Sequence, residues 1–172
     1  MPKYKYCPMC AKELNQGLRY GRIRQYCSNC GFIYYENPLP TTVAIAELNG
    51  KLLLIKRGIE PLKGIWTFPS GFMELDETPE ESCLRELKEE TGMTGRIEDL
   101  IGVFHNKTPM YGDIISLIYY IKLDTGIPTP GDDAEGAALI NISEINDLGF
   151  NSFNTAFKIY KEKYYSKKPD MI

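Results

Sequence analysis

The sequence predicts an α+β or α/β sandwich in which a mixed sheet lies between helices, preceded by a small cysteine-rich module. Strand-like runs lie on both sides of one acidic, well-capped helical segment, a second helical segment closes the chain, and four of the five cysteines fall within the first 30 residues. Strands and helices in this mixed order are typical of a layered domain. We place the two parts at residues 1–38 and 39–172.

Apolar and β-branched runs predict the strands of the larger part. The runs 41–48 and Lys51–Arg57 flank Asn49-Gly50, and this dipeptide between two such runs predicts a hairpin. Just before them, residues 37–40 carry two prolines and are expected to form a stiff link that interrupts any strand. The remaining strands are predicted over 65–69, 99–106, 114–123 and 136–142, and a final helix over 152–165.

One helix is marked at both ends by its sequence. Thr78, Pro79 and Glu81 suit the N-cap, first and third positions of a helix, which together make a capping box with proline at its favoured place. Gly92 is the expected stop. A helix is therefore predicted from Thr78 to residue 91.

Three glutamates share one face of this helix, because Glu86, Glu89 and Glu90 lie three and four residues apart. Carboxylates crowded in this way repel each other, and a divalent cation would reverse the sign of that energy. Oxygen ligands with no histidine nearby favour Mg²⁺ or Mn²⁺ over zinc. Arg85, four residues before Glu89, is placed to hold that carboxylate. The alternative is a solvated acidic face, which the fixed spacing to the Gly71 loop disfavours.

Four cysteines form two CxxC pairs sixteen residues apart: Cys7, Cys10, Cys27 and Cys30. This spacing is typical of a four-thiolate zinc site, which is closed and therefore structural. A segment below about 40 residues holds little core of its own, so the metal would stabilise it. Disulfide pairing is the alternative, disfavoured by the odd cysteine total and the lack of an export signal. Cys83 is expected to be a buried core residue.

Charge and hydropathy exclude several classes of partner. The net charge is −3, and no apolar run approaches the ~20 residues of a membrane span, so we expect a cytoplasmic protein without a membrane partner. Residues 1–40 carry six Lys/Arg and two Glu, a balance of +4, and zinc with four thiolates would lower it to about +2. Tyrosines are interleaved with these bases, but so small a charge disfavours nucleic acid as a partner.

Nine residues at fixed spacing carry a resemblance to a known family. They fit the pattern G-x5-E-x7-R-E-U-x-E-E-x-G-U, where U is aliphatic: Gly71, Glu77, Arg85, Glu86, Leu87, Glu89, Glu90, Gly92 and Met93. This set resembles the Nudix box of Nudix hydrolases. With residues 35–38, 52–57 and 64–69, the cysteine pairs resemble the zinc-ribbon branch, which includes NADH pyrophosphatases and enzymes that cleave FAD or ADP-ribose. Ser70 and Ala11 depart from that pattern, which commonly has glycine at both places.

The resemblance implies an α-β-α Nudix fold and Mg²⁺-dependent hydrolysis of a nucleoside diphosphate linked to another moiety. It implies metal ligands from Glu86, Glu89, Glu90 and the Gly71 carbonyl, with Glu74 and Glu77 as outer or additional ligands. Arg85, Glu86 and Glu89 are the catalytic residues that it implies inside the box.

The general base is implied either within the box or on a later loop. On that loop Glu135 is our first candidate, although Asp132 and Asp133 are equally near in sequence. The single histidine, His105, is expected to be structural.

Two features of the sequence bear on the substrate. The S-Q-P-W-P-F-P array of NADH pyrophosphatases is missing between Gly92 and Asp124, and Pro109 falls sixteen residues after Met93, a spacing associated with ADP-ribose. Tyr111 or Phe104 is placed to stack an adenine, and Glu74 to contact substrate. ADP-ribose or FAD with release of AMP is therefore favoured. An NADH pyrophosphatase, an RNA 5′-end decapping enzyme and a non-catalytic nucleotide-binding regulator stay open as alternatives, as does a homodimer.

Overall fold

Strand pairing forms a two-stranded ribbon and a seven-stranded mixed sheet in a computed structural model that describes residues 4–131 and 133–166. In chain order the elements are β1 Asn15–Arg19, β2 Arg22–Tyr26, β3 Leu39–Leu48, β4 Lys51–Arg57, β5 Trp66–Thr67, β6 Ser70–Phe72, α1 Pro79–Thr91, β7 Gly95–Thr108, β8 Gly112–Leu123, β9 Ala134–Asn141, a 3₁₀ turn Ile142–Glu144, α2 Asn151–Tyr160 and a π-helical turn Lys161–Tyr165.

The ribbon is a β1–β2 hairpin flanked by two similar cysteine turns. In each turn the backbone N–H of the fifth residue donates to the carbonyl of the first cysteine, from Ala11 to Cys7 at 2.8 Å and from Gly31 to Cys27 at 3.0 Å. Both fifth residues have a left-handed backbone, with φ of 56° and 78°. Glycine adopts this conformation freely and alanine does not, so Ala11 is a strained position.

The ribbon buries hardly any apolar surface. Leu18 and Ile23 pair across the hairpin and are 66% and 69% exposed, and Tyr20 at the turn is 79% exposed. Within its described residues the buried positions are Cys7 and Cys27. Apolar burial therefore contributes little to the stability of this part, which would depend on a metal ion bound by its cysteines.

The large sheet splits beside β3. Next to the Asn49-Gly50 turn, β3 pairs with β4 only at Glu47↔Leu52 and Leu48↔Lys51. Further along, β3 pairs with β6 and runs parallel to β8, while β4 pairs with β5 and β9. The strand order is β5-β4-β3-β8-β7. This divergence opens a cleft between the β3 and β4 sides of the sheet.

Helices cover both faces of the sheet, which confirms the predicted sandwich. Alternate residues of β3 point to opposite faces. Val43 and Ile45 pack with α2 in one buried cluster, and Ala44 and Ala46 pack with α1 in the other. Cys83 belongs to the second cluster and is 1% exposed, and burial raises the pKa of its thiol to about 12. Its expected place in the core is confirmed.

Several predicted boundaries need correction. The link expected over 37–40 is wrong for Leu39 and Pro40, which begin β3; proline is tolerated near a strand start, and the Pro40 carbonyl accepts from Met73 N at 3.2 Å. The loop expected at Gly71 begins as the short strand β6. The last helix is α-helical only to Tyr160.

In the part of the chain that the structure describes, no helix is both long and apolar enough to cross a bilayer.

Candidate active site

The cap chemistry predicted for α1 is present. Thr78 has an extended backbone, and its Oγ1 accepts from Glu81 N at 3.2 Å while Glu81 Oε2 accepts from Thr78 N at 2.8 Å. Pro79 stands in the first turn, and Gly92 closes the helix at φ 66°. These local contacts set where α1 begins, and so they set which face its glutamates occupy.

A single guanidinium holds three carboxylates, one in the loop before α1 and two on the acidic face. Arg85 donates through Nε and Nη2 to the two oxygens of Glu77, at 2.9 and 2.8 Å. Its Nη1 donates to Glu86 Oε1 at 2.7 Å and to Glu89 Oε2 at 2.9 Å. The predicted contact with Glu89 is confirmed, and two more are added. Bonds from Arg85, with one from Glu74 N, lower the pKa of Glu77 to about 2.

Glu90 is held separately on the buried side. Its Oε2 accepts from Ser70 N at 2.9 Å, and the residue is 5% exposed. Burial raises the pKa of its carboxyl to about 8, and the charge of Glu86 adds to this. Because Arg85 draws Glu86 and Glu89 toward itself, the carboxylates line one end of a cavity without converging on one point. The described residues gather a close set of metal-ligating side chains only at the four cysteines.

Gly71 lies directly against the acidic face. A Cβ built on this residue would lie 2.1 Å from Glu86 Cδ, so any side chain here would displace that carboxylate. Ser70 precedes it in β6, where an extended backbone accepts a side chain, and its N–H reaches Glu90. The departure from glycine at this position therefore leaves the contact with α1 intact.

The loop after β8 is fastened to the end of α1. Thr129 N donates to Thr91 O at 2.9 Å, and Gly131 N donates to Glu90 O at 3.1 Å. Asp133 O accepts from Gly58 N at 2.7 Å, which ties the loop to the end of β4 as well. Asp133 lines the cavity, and its charge acts on Glu90. This loop therefore delivers an acid to the α1 end of the cleft.

The other acids of this loop are placed differently. Glu135 Oε1 lies 3.3 Å from Lys63 Nζ on the surface, and Glu135 is not among the residues that line the cavity. Asp132 lies outside the described residues. Glu135 as general base stays a prediction, and Asp133 is the described loop acid with access to the cavity.

A cavity of ≈ 560 Å³ fills the cleft between the β3 and β4 sides of the sheet. This volume lies within the range usual for small-molecule sites. We call the part lined by the charged side chains below its charged end, and the part lined by uncharged side chains of β3, β6, β7, β8 and the β7–β8 turn its uncharged end; other residues, among them Glu60 and Phe150, complete the lining. The charged end is lined by Glu74, Arg85, Glu86, Glu89, Glu90, Asp133 and Arg57. The uncharged end is lined by Thr41, Phe72, Asn106, Thr108, Tyr111, Ile114 and Ser116.

The residues expected to contact substrate divide into two groups. Glu74 and Tyr111 line the cavity, and the Tyr111 ring stands against Phe72 with centroids 4.9 Å apart. Pro109 lies in the turn between β7 and β8 without lining the cavity, and Phe104 packs on the core. Neither residue lines this cavity, and a contact of either with a bound molecule stays a prediction.

His105 belongs to neither group. Its Nε2 lies 2.6 Å from Asp113 Oδ1 on the exposed side of the β7–β8 hairpin, in keeping with the expected structural role.

Some cavity residues had no signal in the sequence. Thr41, Ser116 and Asn106 are polar residues within predicted strands. A single polar residue in a strand does not by itself predict a binding site. Ser152, at the start of α2, lines the cavity and is buried, and its Oγ has no hydrogen-bond partner in the described chain. Residues brought together by long-range strand pairing carry no local mark.

The four paired cysteines meet at one point, with sulfur atoms all within 4.8 Å of one another. Cys7 Sγ and Cys30 Sγ are 3.5 Å apart, as are Cys10 Sγ and Cys27 Sγ. Both distances exceed the ~2.05 Å of a disulfide bond, so the structure joins neither pair by a disulfide, which favours the metal site over the disulfide alternative. A tetrahedral zinc with Zn–S of about 2.3 Å needs sulfurs about 3.8 Å apart, so the cluster fits that ion.

Comparison with known proteins finds relatives of this chain. The NUDIX domain family model matches residues 38–161. An ADP-ribose pyrophosphatase of Methanocaldococcus jannaschii is 36% identical over 119 residues, covering 68% of this chain and 70% of that protein. An NAD-capped RNA hydrolase NudC of Vibrio atlanticus is 29% identical over 89 residues, 52% of this chain but 32% of that protein.

The solved structures extend the likeness to both parts of the chain. A crystal structure of a NUDIX hydrolase from Nitrosomonas europaea superposes with a TM-score of 0.83 and 31% identity, over 96% of this chain and 95% of that one. The matched region contains α1 with its acidic face, Arg85 and the cavity that these residues line. The chain therefore belongs to the Nudix hydrolase family and is a pyrophosphohydrolase.

Proposed function

We propose that this protein hydrolyses the diphosphate of an adenosine-containing substrate, ADP-ribose or FAD, and releases AMP. The observation that carries the proposal is a cavity lined by two unlike sets of side chains, one charged and one uncharged and partly aromatic. Its charged end suits cations and a diphosphate, and its uncharged, partly aromatic end suits a nucleobase. The relative with the name ADP-ribose pyrophosphatase supports the choice of substrate.

The donor set at the charged end fits Mg²⁺ or Mn²⁺. Glu86, Glu89, Glu90 and the Gly71 carbonyl supply hard oxygen atoms, and the cradle at Gly71 that a Cβ would fill keeps the Glu86 carboxylate close to that carbonyl. When bound there, such ions would neutralise the diphosphate and lower the pKa of a coordinated water.

The side chains of this end have separate tasks. Arg85 orients Glu86 and Glu89 through charge-assisted bonds, and Glu77 orients Arg85 in turn. Asp133 accepts the proton of the attacking water, a role for which its place in the cavity favours it over Glu135. Water adds to one phosphorus and the bridging P–O bond breaks, so ADP-ribose would yield AMP and ribose 5-phosphate.

The ribbon has little to offer a nucleic acid. The Arg19 guanidinium carbon lies 3.6 Å from the centre of the Tyr26 ring, and that of Arg24 lies 4.9 Å from the centre of Tyr35. The two arginine side chains thus already make cation–π contacts with tyrosine rings of the ribbon itself. We therefore propose that the ribbon is structural and holds one zinc ion.

A substrate panel with Mg²⁺ tests the function. ADP-ribose, FAD, NADH, a nucleotide sugar and NAD-capped RNA are supplied at equal concentration, and AMP or its equivalent is quantified by chromatography. We expect ADP-ribose or FAD to lead. NADH or capped RNA ahead by more than about tenfold, or ~1.4 kcal/mol of transition-state preference, would refute the substrate while leaving the metal chemistry standing.

Two paired experiments test the roles. Asp133→Asn should lower kcat with little change in KM, as expected for an interaction made only in the transition state, and Glu135→Gln should lower it far less. Equal effects, or the reverse order, would indicate that the general base is Glu135 or a residue of the box.

The zinc site is tested separately. Native mass spectrometry should find one zinc per chain, and Cys27→Ser should abolish zinc binding without unfolding the large sheet.

A further inference from the structure

Three polar side chains from three adjacent strands join at the uncharged end of the cavity. Thr41 of β3 and Ser116 of β8 are register partners, with their hydroxyl oxygens 2.9 Å apart. Asn106 of β7 donates through Nδ2 to Ser116 Oγ at 3.1 Å. All three line the cavity, and no charged residue of β7 or β8 does so.

The amide of Asn106 is oriented by its bond to Ser116. Either hydroxyl can donate in the Thr41–Ser116 pair, and Thr41 Oγ1 also lies 3.5 Å from the carbonyl oxygen of Ile115. In each arrangement Ser116 Oγ accepts from Asn106 Nδ2. The amide of Asn106 is thus oriented. Its Oδ1 and one N–H have no partner among the described residues and remain for a ligand.

An aromatic wall stands beside these groups. The Tyr111 ring is 37% exposed, yet it is positioned by its edge contact with Phe72 at 4.9 Å and 69°. Phe72 is the register partner of Thr41 and directly follows Gly71. Adjacent strands are about 4.8 Å apart, so Ser116 lies roughly 10 Å across the sheet from Phe72. That span is of the order that separates the base of a nucleoside diphosphate from its phosphates.

We propose that the Asn106 amide reads the edge of an adenine ring that packs against Tyr111, and that Ser116 and Thr41 are positioning residues for it. The inference rests on the proposed function and adds the part of the substrate that the protein selects. Adenine presents an amino donor at position six beside the N7 acceptor, which complements one amide oxygen and one amide N–H. Guanine and hypoxanthine present two acceptors along the same edge, so one of them faces Asn106 Oδ1 unfavourably.

The test compares two ligands in which the amino group of adenine at position six is replaced by the oxygen of hypoxanthine, with a proton gained at N1. Calorimetry measures the binding of AMP and IMP to the purified protein with Mg²⁺, and kinetics measures turnover of ADP-ribose and its hypoxanthine analogue. Wild type should prefer the adenine member of each pair by about tenfold or more, or ~1.4 kcal/mol. Asn106→Ala should reduce both preferences to near unity, chiefly by weakening the adenine member.

Two further variants separate recognition from folding. Thr41→Val keeps the shape of the side chain and the bond from Asn106 to Ser116, but it removes the hydroxyl that positions Ser116, so it should reduce the preference in part. Asn146→Ala removes an exposed asparagine that bonds the Glu144 carbonyl and lies outside the cavity lining, and its preference should equal that of wild type. Thermal unfolding confirms that each variant is folded.

The outcomes are distinct. Equal affinity of wild type for AMP and IMP, or an unchanged preference in Asn106→Ala, overturns the inference even if ADP-ribose is hydrolysed. Absence of hydrolysis together with an AMP preference that Asn106→Ala removes overturns the proposed function and upholds the base-reading role.

Discussion

Arg85 grips both carboxylate oxygens of Glu77, at 2.9 and 2.8 Å, and so ties the loop after β6 to the middle of α1. Glu77 Oε1 also accepts from Glu74 N at 2.6 Å, which closes that loop on itself. The same guanidinium reaches Glu86 and Glu89. One planar group therefore fixes the loop and orients two of the three glutamates of the acidic face.

Arg85→Lys should lower turnover by about a hundredfold, since a misplacement of about 1 Å can cost that much. A lysine ammonium keeps the charge but lacks the fork that engages two carboxylate oxygens and two further acids together. The measurement is kcat with Mg²⁺, alongside the thermal midpoint. Lys88→Ala changes an exposed cation of the same helix and should retain activity. Near-normal turnover of Arg85→Lys would show that charge alone suffices.

Gly71→Ala should abolish most turnover while sparing the fold. The new Cβ would fall 2.1 Å from Glu86 Cδ, and because that carboxylate ends a flexible side chain, it moves away without disturbing the sheet. We expect about a hundredfold loss of kcat with little change in thermal midpoint. Gly136→Ala is the matched control, since its Cβ would meet atoms of Lys56 and Trp66 at an ordinary 3.5 Å. Equal effects of the two changes would contradict this account.

Local chemistry explains which elements could be predicted. The α1 helix carries its cap, its proline and its stop within fifteen residues of sequence, from Thr78 to Gly92. The β3–β4 hairpin carries Asn49-Gly50 at its turn. By contrast, β7 begins four residues before its predicted start, at Gly95 instead of residue 99. Register shifts between Ile97 and Asp99 and between Leu100 and Gly102 interrupt the two-residue alternation that marks a strand.

The site was predictable where helical spacing decides it and unpredictable where tertiary pairing does. The contact of Arg85 with Glu89 follows from a separation of four residues, whereas its grip on Glu77 depends on how the loop folds back. Thr41 and Ser116 are 75 residues apart and meet through parallel strand pairing. The choice between Asp133 and Glu135 depends on which of two near neighbours faces inward at the start of β9, which composition does not reveal.

Asp99 should fasten the C-terminal turn to β7 in a pH-dependent way. Its carboxylate accepts from Lys163 Nζ and from Tyr164 Oη, and the bond from Lys163 is the main reason that its pKa is lowered. A lowered pKa means that this stabilisation is present above the ordinary aspartate value of about 3.9 and is lost as pH falls through the folded-state value.

Asp99→Asn should accordingly lower the thermal midpoint at neutral pH, and its difference from wild type should shrink in strong acid. Because the pair is largely solvent-exposed, the effect should be small and should weaken with added salt. Glu162→Gln changes a neighbouring acid of the same turn and is the control. A difference that stays constant from neutral pH into acid would show that Asp99 acts through packing and not through its charge.

Ala11 and Gly31 allow opposite tests of strain in the ribbon. They occupy the same place in the two cysteine turns, with φ of 56° and 78°, and a Cβ at Gly31 would meet nothing within 4 Å. A left-handed backbone costs a residue with a Cβ about 1–2 kcal/mol. The greater chain entropy of unfolded glycine offsets part of this gain. Ala11→Gly should therefore stabilise the ribbon by at most about 1 kcal/mol, and Gly31→Ala should destabilise it by a similar amount. The readout is zinc retention against increasing chelator, with turnover of the large domain unchanged in both variants. If the two substitutions shift zinc retention in the same direction, backbone strain is not what distinguishes the two turns.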